Sequence, residues 1–227
     1  MKKKISFVSK AQNLEYLNYL KIRKINIPRF YYFNIKDWKK NKYYIISLIN
    51  QYFENKICLR SSFIGEDSSN KSMAGKFESF INIKNKKKNI INCVENLIKQ
   101  YKKLNNKKIN LKNEVLIQNY VKDSICSGVI TNYNLSDGAP YYSINYNDQN
   151  KSTLSVTAGD KDSFRVLHVS KKSKNNIRSI KFRKIIDAVK EIEKKYNSIP
   201  LDIEFALKKN LKVFILQIRP ISTSYKW

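Results

Sequence analysis

One histidine, His168, and three cysteines, Cys58, Cys93 and Cys126, stand in a chain of 227 residues. The cysteines are widely spaced, odd in number and form no CxxC pair, which excludes a disulfide framework and a zinc site. Glycine and proline are scarce, at five and four residues. No Pro/Gly-rich linker divides the chain, and no internal repeat is visible. No segment approaches 18 uncharged apolar residues, and the basic opening "MKKKISFVSKAQ" has no apolar run after it. Neither a membrane helix nor a secretory leader is therefore expected, and the chain reads as a soluble cytoplasmic protein.

Acidic residues are the remaining shortage: 18 Asp+Glu face 45 Lys+Arg, a net charge of +27. Such a charge attracts any polyanion, nucleic acid included. The excess is mostly lysine, spread with asparagine along the whole chain ("KNKKKN", "LNNKK", "KKSKNN"), without the aromatic and arginine platform of RNA-binding surfaces. That points to a Lys/Asn-biased composition rather than a dedicated nucleic-acid face. The densest patch, "KKSKNNIRSIKFRK" from Lys171 to Lys184, reads as a solvated loop entering a helix. With 42% hydrophobic residues the chain has enough for a real core, in one large domain or two lobes.

Periodicity sorts the segments. "AQNLEYLNYLK" carries Leu14 and Leu17 at helical spacing with Ser9 as its N-cap, which puts Lys10 at a helix start. "YYIISLINQYFE", "IINCVENLIKQYKKL" and "RKIIDAVKEIEKKY" read as further helices. "KICLRSS" and "FESFINI" read as strands, and from Glu114 onward come short strand-like runs, "EVLIQNYV", "CSGVITNY", "YYSINYN", "STLSVTAG" and "FRVLHVS". The expectation is an α+β chain with a helical first lobe, residues 1–113, and a sheet-rich second lobe, residues 114–227.

The closing stretch "LDIEFALKKNLKVFILQIRPIS" reads as an antiparallel hairpin around "KKNL". Strand alternation puts Asp202 and Glu204 on one face and Ile203, Phe205 and Leu207 on the other; Gln217 and Arg219 fall together, opposite Phe214, Leu216 and Ile218. Two carboxylates, an amide and a guanidinium on one face suit a metal ion and a phosphate. A sheet with one wet face gives the same pattern. The stretch "LRSSFIGEDSSNKSMAGKFESFINI" has an arginine leaving a strand, serines, an acidic pair and a glycine-containing loop, which suits phosphate oxygens. A surface ion pair of Arg60 with Glu66 or Asp67 and an ordinary turn at Gly75 also account for it.

The same residues resemble the nucleotide-binding domain of the phosphoenolpyruvate synthase and pyruvate phosphate dikinase family. Leu59–Ile83 is similar to "RSSATxEDxxxxSFAGQFxTFLNV", "VLIQNYVKDSICSGVITNYN" to "xxVQxMVxxxxSGVxFTxNP", and "DIEFALKKNLKVFILQIRPI" to "DIEWAxxxGxLYILQxRPI". The resemblance implies an ATP-grasp fold, two lobes around a nucleotide cleft, with ATP and Mg2+ as cofactors. It implies that Lys10, in "SKAQNLEYL", and Arg60 contact ATP phosphates, Lys10 from a helix start suited to anions. Gly75 and Ser79 match the loop over the phosphates, with serine in place of threonine. Gln118 falls in the strand passing the adenine, where Tyr120 replaces the usual methionine. Glu204 and Gln217 match magnesium and phosphate positions, and Arg219, with Arg60, the residues that act on the transferring phosphoryl group.

Departures narrow the resemblance. "YYSINYNDQNKSTLSVTAG" stands where the dikinases have "GLGExxVxG". It is similar to the "YYxINYDDxSGxTDxVTSG" of synthase-like kinases of bacterial cell-surface polysaccharide modification, the glutamine kinases among them. Asn147 and Leu154 stand where that branch has aspartates. The family's phosphocarrier motif "GGxxSHxA" does not occur, and His168 lies in a strand-like run. The implied function is the ATP half of a phosphotransferase. Its histidine acceptor would lie on a separate domain or chain, and the final acceptor would be a small molecule such as pyruvate or glutamine. A degenerate, non-catalytic ATP-binding or interaction module and a basic nucleic-acid-binding protein are the rival readings.

Overall fold

The computed structural model describes residues 7–64, 67–68, 71–72, 78–104, 108–148, 165–172 and 177–221. The fold is α+β, as expected, and its contacts divide the chain into two units. One comprises Val8–Gln12 and Pro28–Tyr120; the other comprises Met1–Phe7, Asn13–Ile27 and Val121–Trp227. Helix α1 (Lys10–Tyr19) therefore has its first three residues in one unit and the rest in the other. The strand at Glu114–Asn119 belongs with the first unit, so the expected boundary at residue 113 falls one strand short of this division.

The first unit is built on an antiparallel sheet of four strands. In chain order its elements are β1 (Phe30–Asn34), α2 (Ile35–Tyr52), β2 (Lys56–Ser62), the two-residue strands β3 (Asp67–Ser68) and β4 (Lys71–Ser72), β5 (Phe80–Lys84), α3 (Lys87–Leu104) and β6 (Glu114–Asn119). The sheet order is β1-β6-β2-β5, and β3 and β4 form a separate two-stranded sheet. Helix α3 buries Ile90, Val94, Leu97, Ile98 and Tyr101, the spacing of a single helical stripe, against Ile57, Leu59, Val115 and Ile117 of the sheet. Helix α2 starts earlier than its periodicity suggested, because Asn34 caps it: the Asp37 amide donates to Asn34 Oδ1 at 2.8 Å. The helix kinks at Asn41, and Trp38 stacks on Phe33 with ring centroids 5.3 Å apart.

The second unit carries β7 (Ser124–Thr131), β8 (Tyr141–Asn147), β9 (Arg165–Ser170), α4 (Ile180–Lys195), β10 (Leu201–Lys208) and β11 (Val213–Pro220). These strands form one antiparallel sheet in the order β11-β10-β7-β8-β9. The run "STLSVTAG", with Leu154, lies outside the described residues. Gly128 is required where β7 meets β8: a Cβ there would sit 2.1 Å from the Asn145 carbonyl oxygen, so no other residue fits without parting the strands. The turn between β10 and β11 closes through Leu211 N–H to Lys208 C=O at 2.9 Å and puts Leu211 at φ 61°, a left-handed conformation uncommon for leucine.

Helix α4 buries Phe182, Ile185, Ile186, Val189 and Ile192, and its Phe182 ring meets Tyr146 of β8 edge-on at 4.7 Å. A buried carboxylate fastens the same helix. Glu193 accepts hydrogen bonds from the Tyr142 hydroxyl, from the Lys171 ammonium and, at 3.0 Å, from the Asn132 amide. Asn132 in turn receives the Leu201 amide at the start of β10. Three donors offset the desolvation of this carboxylate.

Alternation along β10 holds as expected, with Ile203, Phe205 and Leu207 fully buried and Asp202 and Glu204 half-buried. Along β11 it breaks. Glu204 pairs with Gln217, but the next residue, Phe205, pairs with Ile215, so Leu216 is the extra residue of a bulge. Leu216 and Phe214 consequently pack with Ala206 and Val121 rather than sharing a face with Ile218. Among the described residues no helix is long and apolar enough to cross a membrane.

The two ends of the burial scale give a direct check. Phe205, wholly buried, should lose about 3–5 kcal/mol of stability on replacement by alanine. Val166, 56% exposed on β9, should change by no more than about 0.5 kcal/mol. Urea denaturation of Phe205→Ala and Val166→Ala reads both, and comparable losses would show the faces to be misassigned.

Candidate functional site

Register places a polar row across the five-stranded sheet. Arg219 faces Asp202, Asp202 faces Thr131, Thr131 faces Ser143, and Ser143 faces His168. Opposed residues of paired strands point to the same side, so the row lies on one face. The next row on that face holds Gln217, Glu204, Val129 and Asn145. The four polar residues of the closing hairpin are therefore brought together as expected. Gln217 is buried, while Asp202, Glu204 and Arg219 are half-buried.

Arg219 does more than share a face with Asp202. Its Nε and Nη2 both donate to Asp202 Oδ2, at 2.8 and 2.5 Å. Burial pushes the Asp202 carboxyl above its usual range, against the pull of the Arg219 guanidinium and with Glu204 adding to the rise. Glu204, two residues along the strand, thus adds to the cost of ionising Asp202, and two carboxylates so placed invite a cation. The donor set is all oxygen, from Asp202, Glu204 and the Gln217 amide. It fits magnesium, which takes one or two protein carboxylates and completes its shell with water and phosphate. Among the described residues no group of three or more His, Cys, Asp or Glu is gathered to hold a metal by itself. Asp202 matches the first letter of the family's "DIEW" pattern but was given no role by the resemblance, although its alternation with Glu204 was visible.

In the four-stranded unit, register puts Arg60, Ser62, Glu114 and Gln118 on one sheet face, opposite the core face of Leu59, Val115 and Ile117. Arg60 and Gln118 are 5% and 2% exposed, so they occupy a covered face rather than open solvent. The Lys10 ammonium donates to Ser61 Oγ at 3.2 Å, which brings it to the strand that carries Arg60. Ser9 caps α1 as expected, accepting the Gln12 amide at 3.3 Å. The Ala11 amide donates to Ser62 Oγ at 3.0 Å. Two of the first-turn amides, those of Ala11 and Gln12, are thus already bonded to hydroxyls. Glu114, buried among these groups, was not singled out from the sequence. Ser79 is half-buried just before β5, and Gly75 lies outside the described residues.

The remaining reactive side chains are poorly suited to chemistry. Burial pushes the Cys93 thiol up to about 11 and the Cys126 thiol to about 12, leaving little thiolate near neutral pH. His168 is exposed on the edge strand β9, with Nδ1 2.9 Å from Ser143 Oγ. Four strand spacings of about 4.8 Å, roughly 19 Å in all, separate it from Arg219 along the row.

No curated protein matches this chain. Among solved structures, a protein from Pyrococcus horikoshii superposes with a TM-score of 0.55 at 12% identity, covering 92% of this chain and 89% of that one. D-alanyl-alanine synthetase A from Vibrio cholerae gives a TM-score of 0.51 at 11% identity, covering 93% of this chain and 55% of the synthetase. D-alanine-D-alanine ligase from Helicobacter pylori gives 0.49 at 13% identity, covering 96% and 58%. The chain spans about half the length of the ligases it is matched to. At such identities the likeness is one of fold. Sequence carries the family: residues 41–147 and 123–226 match the pyruvate phosphate dikinase AMP/ATP-binding domain. With most of its length matched and an ATP-grasp-like α+β fold, the chain belongs to the pyruvate phosphate dikinase AMP/ATP-binding domain family.

Proposed function

We propose that this chain is the ATP-handling part of a cytoplasmic phosphotransferase of the phosphoenolpyruvate synthase and dikinase type, nearest to the glutamine-kinase-like branch. It would bind Mg-ATP and deliver a phosphoryl group to a histidine on a separate domain or chain, for onward transfer to a small acceptor of the pyruvate or glutamine kind. The observation that carries this reading is the polar face of Asp202, Glu204, Gln217 and Arg219, in a chain matched to an AMP/ATP-binding family.

The roles follow from charge and donor type. Lys10 and Arg60 supply positive charge for the phosphates, and Arg60's planar fork suits two oxygens at once. Gly75 and Ser79 supply the loop over them, and Gln118 an amide beside the base. Magnesium, when bound, neutralises phosphate charge and orients the oxygens. Glu204 and Gln217 would hold it. Arg219 is kept in place by Asp202, so its guanidinium is oriented before charge develops on the transferring group. Phosphoryl transfer needs positioning and charge neutralisation more than covalent help from the protein. The basic surface needs no nucleic-acid partner on this reading.

Mg-ATP at about 100 times its dissociation constant should stabilise the folded chain by about 2.7 kcal/mol. Differential scanning calorimetry reads this as a rise in Tm, and an unmoved transition in a folded sample removes the nucleotide assignment. Arg219→Ala should lower stability by only about 1–2 kcal/mol while suppressing ATP-dependent transfer.

A second measurement addresses the acceptor. With ATP labelled at the β-phosphate, the chain alone should form no acid-labile adduct, and label should appear on an added phosphohistidine-domain protein. Label on this chain that is lost in His168→Ala would make His168 the acceptor. No label and no ATP consumption with any such partner would identify a non-catalytic module.

A further inference from the structure

The first turn of α1 is held by a carboxylate that belongs to a distant strand. Glu114, at the start of β6, is 6% exposed and accepts three side-chain hydrogen bonds. Ser9 Oγ and Ser62 Oγ donate to its Oε2 at 2.6 and 3.1 Å, and Gln12 Nε2 donates to its Oε1 at 2.6 Å. Both hydroxyls also accept from the helix, Ser9 Oγ from the Gln12 amide and Ser62 Oγ from the Ala11 amide. The proton directions are thereby fixed. Each hydroxyl spends a lone pair on an α1 amide, so its own proton must go to an acceptor, and a carboxylate is the side chain that accepts without donating. Its negative charge also lies by the end of α1 where the helix dipole favours it.

The carboxylate is itself braced. Ser62 and Glu114 face each other in register, and the buried Tyr101 hydroxyl donates to the Glu114 carbonyl at 2.7 Å while accepting the Ser62 amide at 3.0 Å. Lys10 lies within the turn so fixed and reaches Ser61, the residue between Arg60 and Ser62. We propose that Glu114 is a positioning residue for phosphate recognition: it clamps the first turn of α1 so that the Lys10 ammonium is held at the strand that carries Arg60. This rests on the reading that Lys10 and Arg60 meet nucleotide phosphates. The preorganisation lowers the ordering cost of a long, rotamer-rich lysine when ligand binds. Glu114 touches no phosphate, and its effect passes through Lys10.

A double-mutant cycle tests that route. Glu114→Gln keeps the volume but replaces one acceptor oxygen with a donor, and Lys10→Ala removes the ammonium. Each should weaken Mg-ATP binding, measured by titration calorimetry, by about tenfold, and the double variant should be no weaker than about tenfold, because the second change acts through a group already gone. A double variant about a hundredfold weaker, the product of independent effects, overturns the proposal. So does Glu114→Gln binding like wild type. Should Glu114→Gln fail to fold, Glu114→Asp enters the same cycle with the same expectation, since it retracts the charge from the hydroxyls.

Hydrogen exchange at the Ala11 and Gln12 amides, without nucleotide, separates this proposal from the functional reading beneath it. Faster exchange in Glu114→Gln, but not in Lys10→Ala, supports the clamp, and unchanged exchange in Glu114→Gln overturns it. A clamp seen by exchange in a wild-type chain that binds no Mg-ATP overturns the nucleotide assignment instead, and the positioning role falls with it.

Discussion

Burial of one face of the five-stranded sheet is what allows the other face to be polar. Ile203, Phe205, Leu207, Ile215 and Ile218 are removed from water, and such burial supplies roughly 1.5–3 kcal/mol per large side chain. Against that contribution the half-buried Asp202, Glu204 and Arg219 impose a desolvation cost that the fold can bear. The arrangement depends on strands that approach closely and evenly. Gly128 is where this requirement is most stringent, since the Asn145 carbonyl oxygen leaves no room for a side-chain carbon. The "SGV" triplet of β7 is therefore a packing constraint on the sheet that displays the polar row.

Much of this sheet was legible in sequence because its signals are local. Alternation in β10 and the turn residues after it require only neighbours along the chain, and the hairpin followed. The bulge did not, because whether Leu216 pairs or is extruded depends on how β11 meets β10 across the ladder. Strict alternation put Phe214 and Leu216 with Ile218; the extra residue moves them to the cluster around Ala206. β1 was also missed. "FYYFN" is a short aromatic run whose identity as a strand comes from pairing with β6, and periodicity cannot assign so short a segment. Glu114 shares a strand face with Gln118, yet its importance lies in groups that reach it from Ser9, Gln12 and Ser62, which no local pattern announces.

The two units treat their acidic residues alike. In a chain so short of carboxylates, Glu193 and Glu114 are both buried and each accepts three side-chain hydrogen bonds, one fastening α4 and the other the start of α1. Replacement of such a group by an apolar residue strands several donors at once. Among the described residues most lysines are exposed or half-buried, where their stems lie along the protein and the ammonium stays in water. The net charge of +27 is carried mostly by lysine, while the described interior of both units is organised around these buried negative groups.

The contact between Ser9 and Glu114 spans 105 positions of sequence, and this separation has a temporal meaning during synthesis. At about 5–20 residues per second, roughly 5–20 s pass between the addition of Ser9 and that of Glu114. For that interval α1 has neither its carboxylate anchor nor the β6 strand that carries it, and a ten-residue helix is marginal by itself in water. Lys10, in the first turn of that helix, is therefore made well before the strand that fixes the turn.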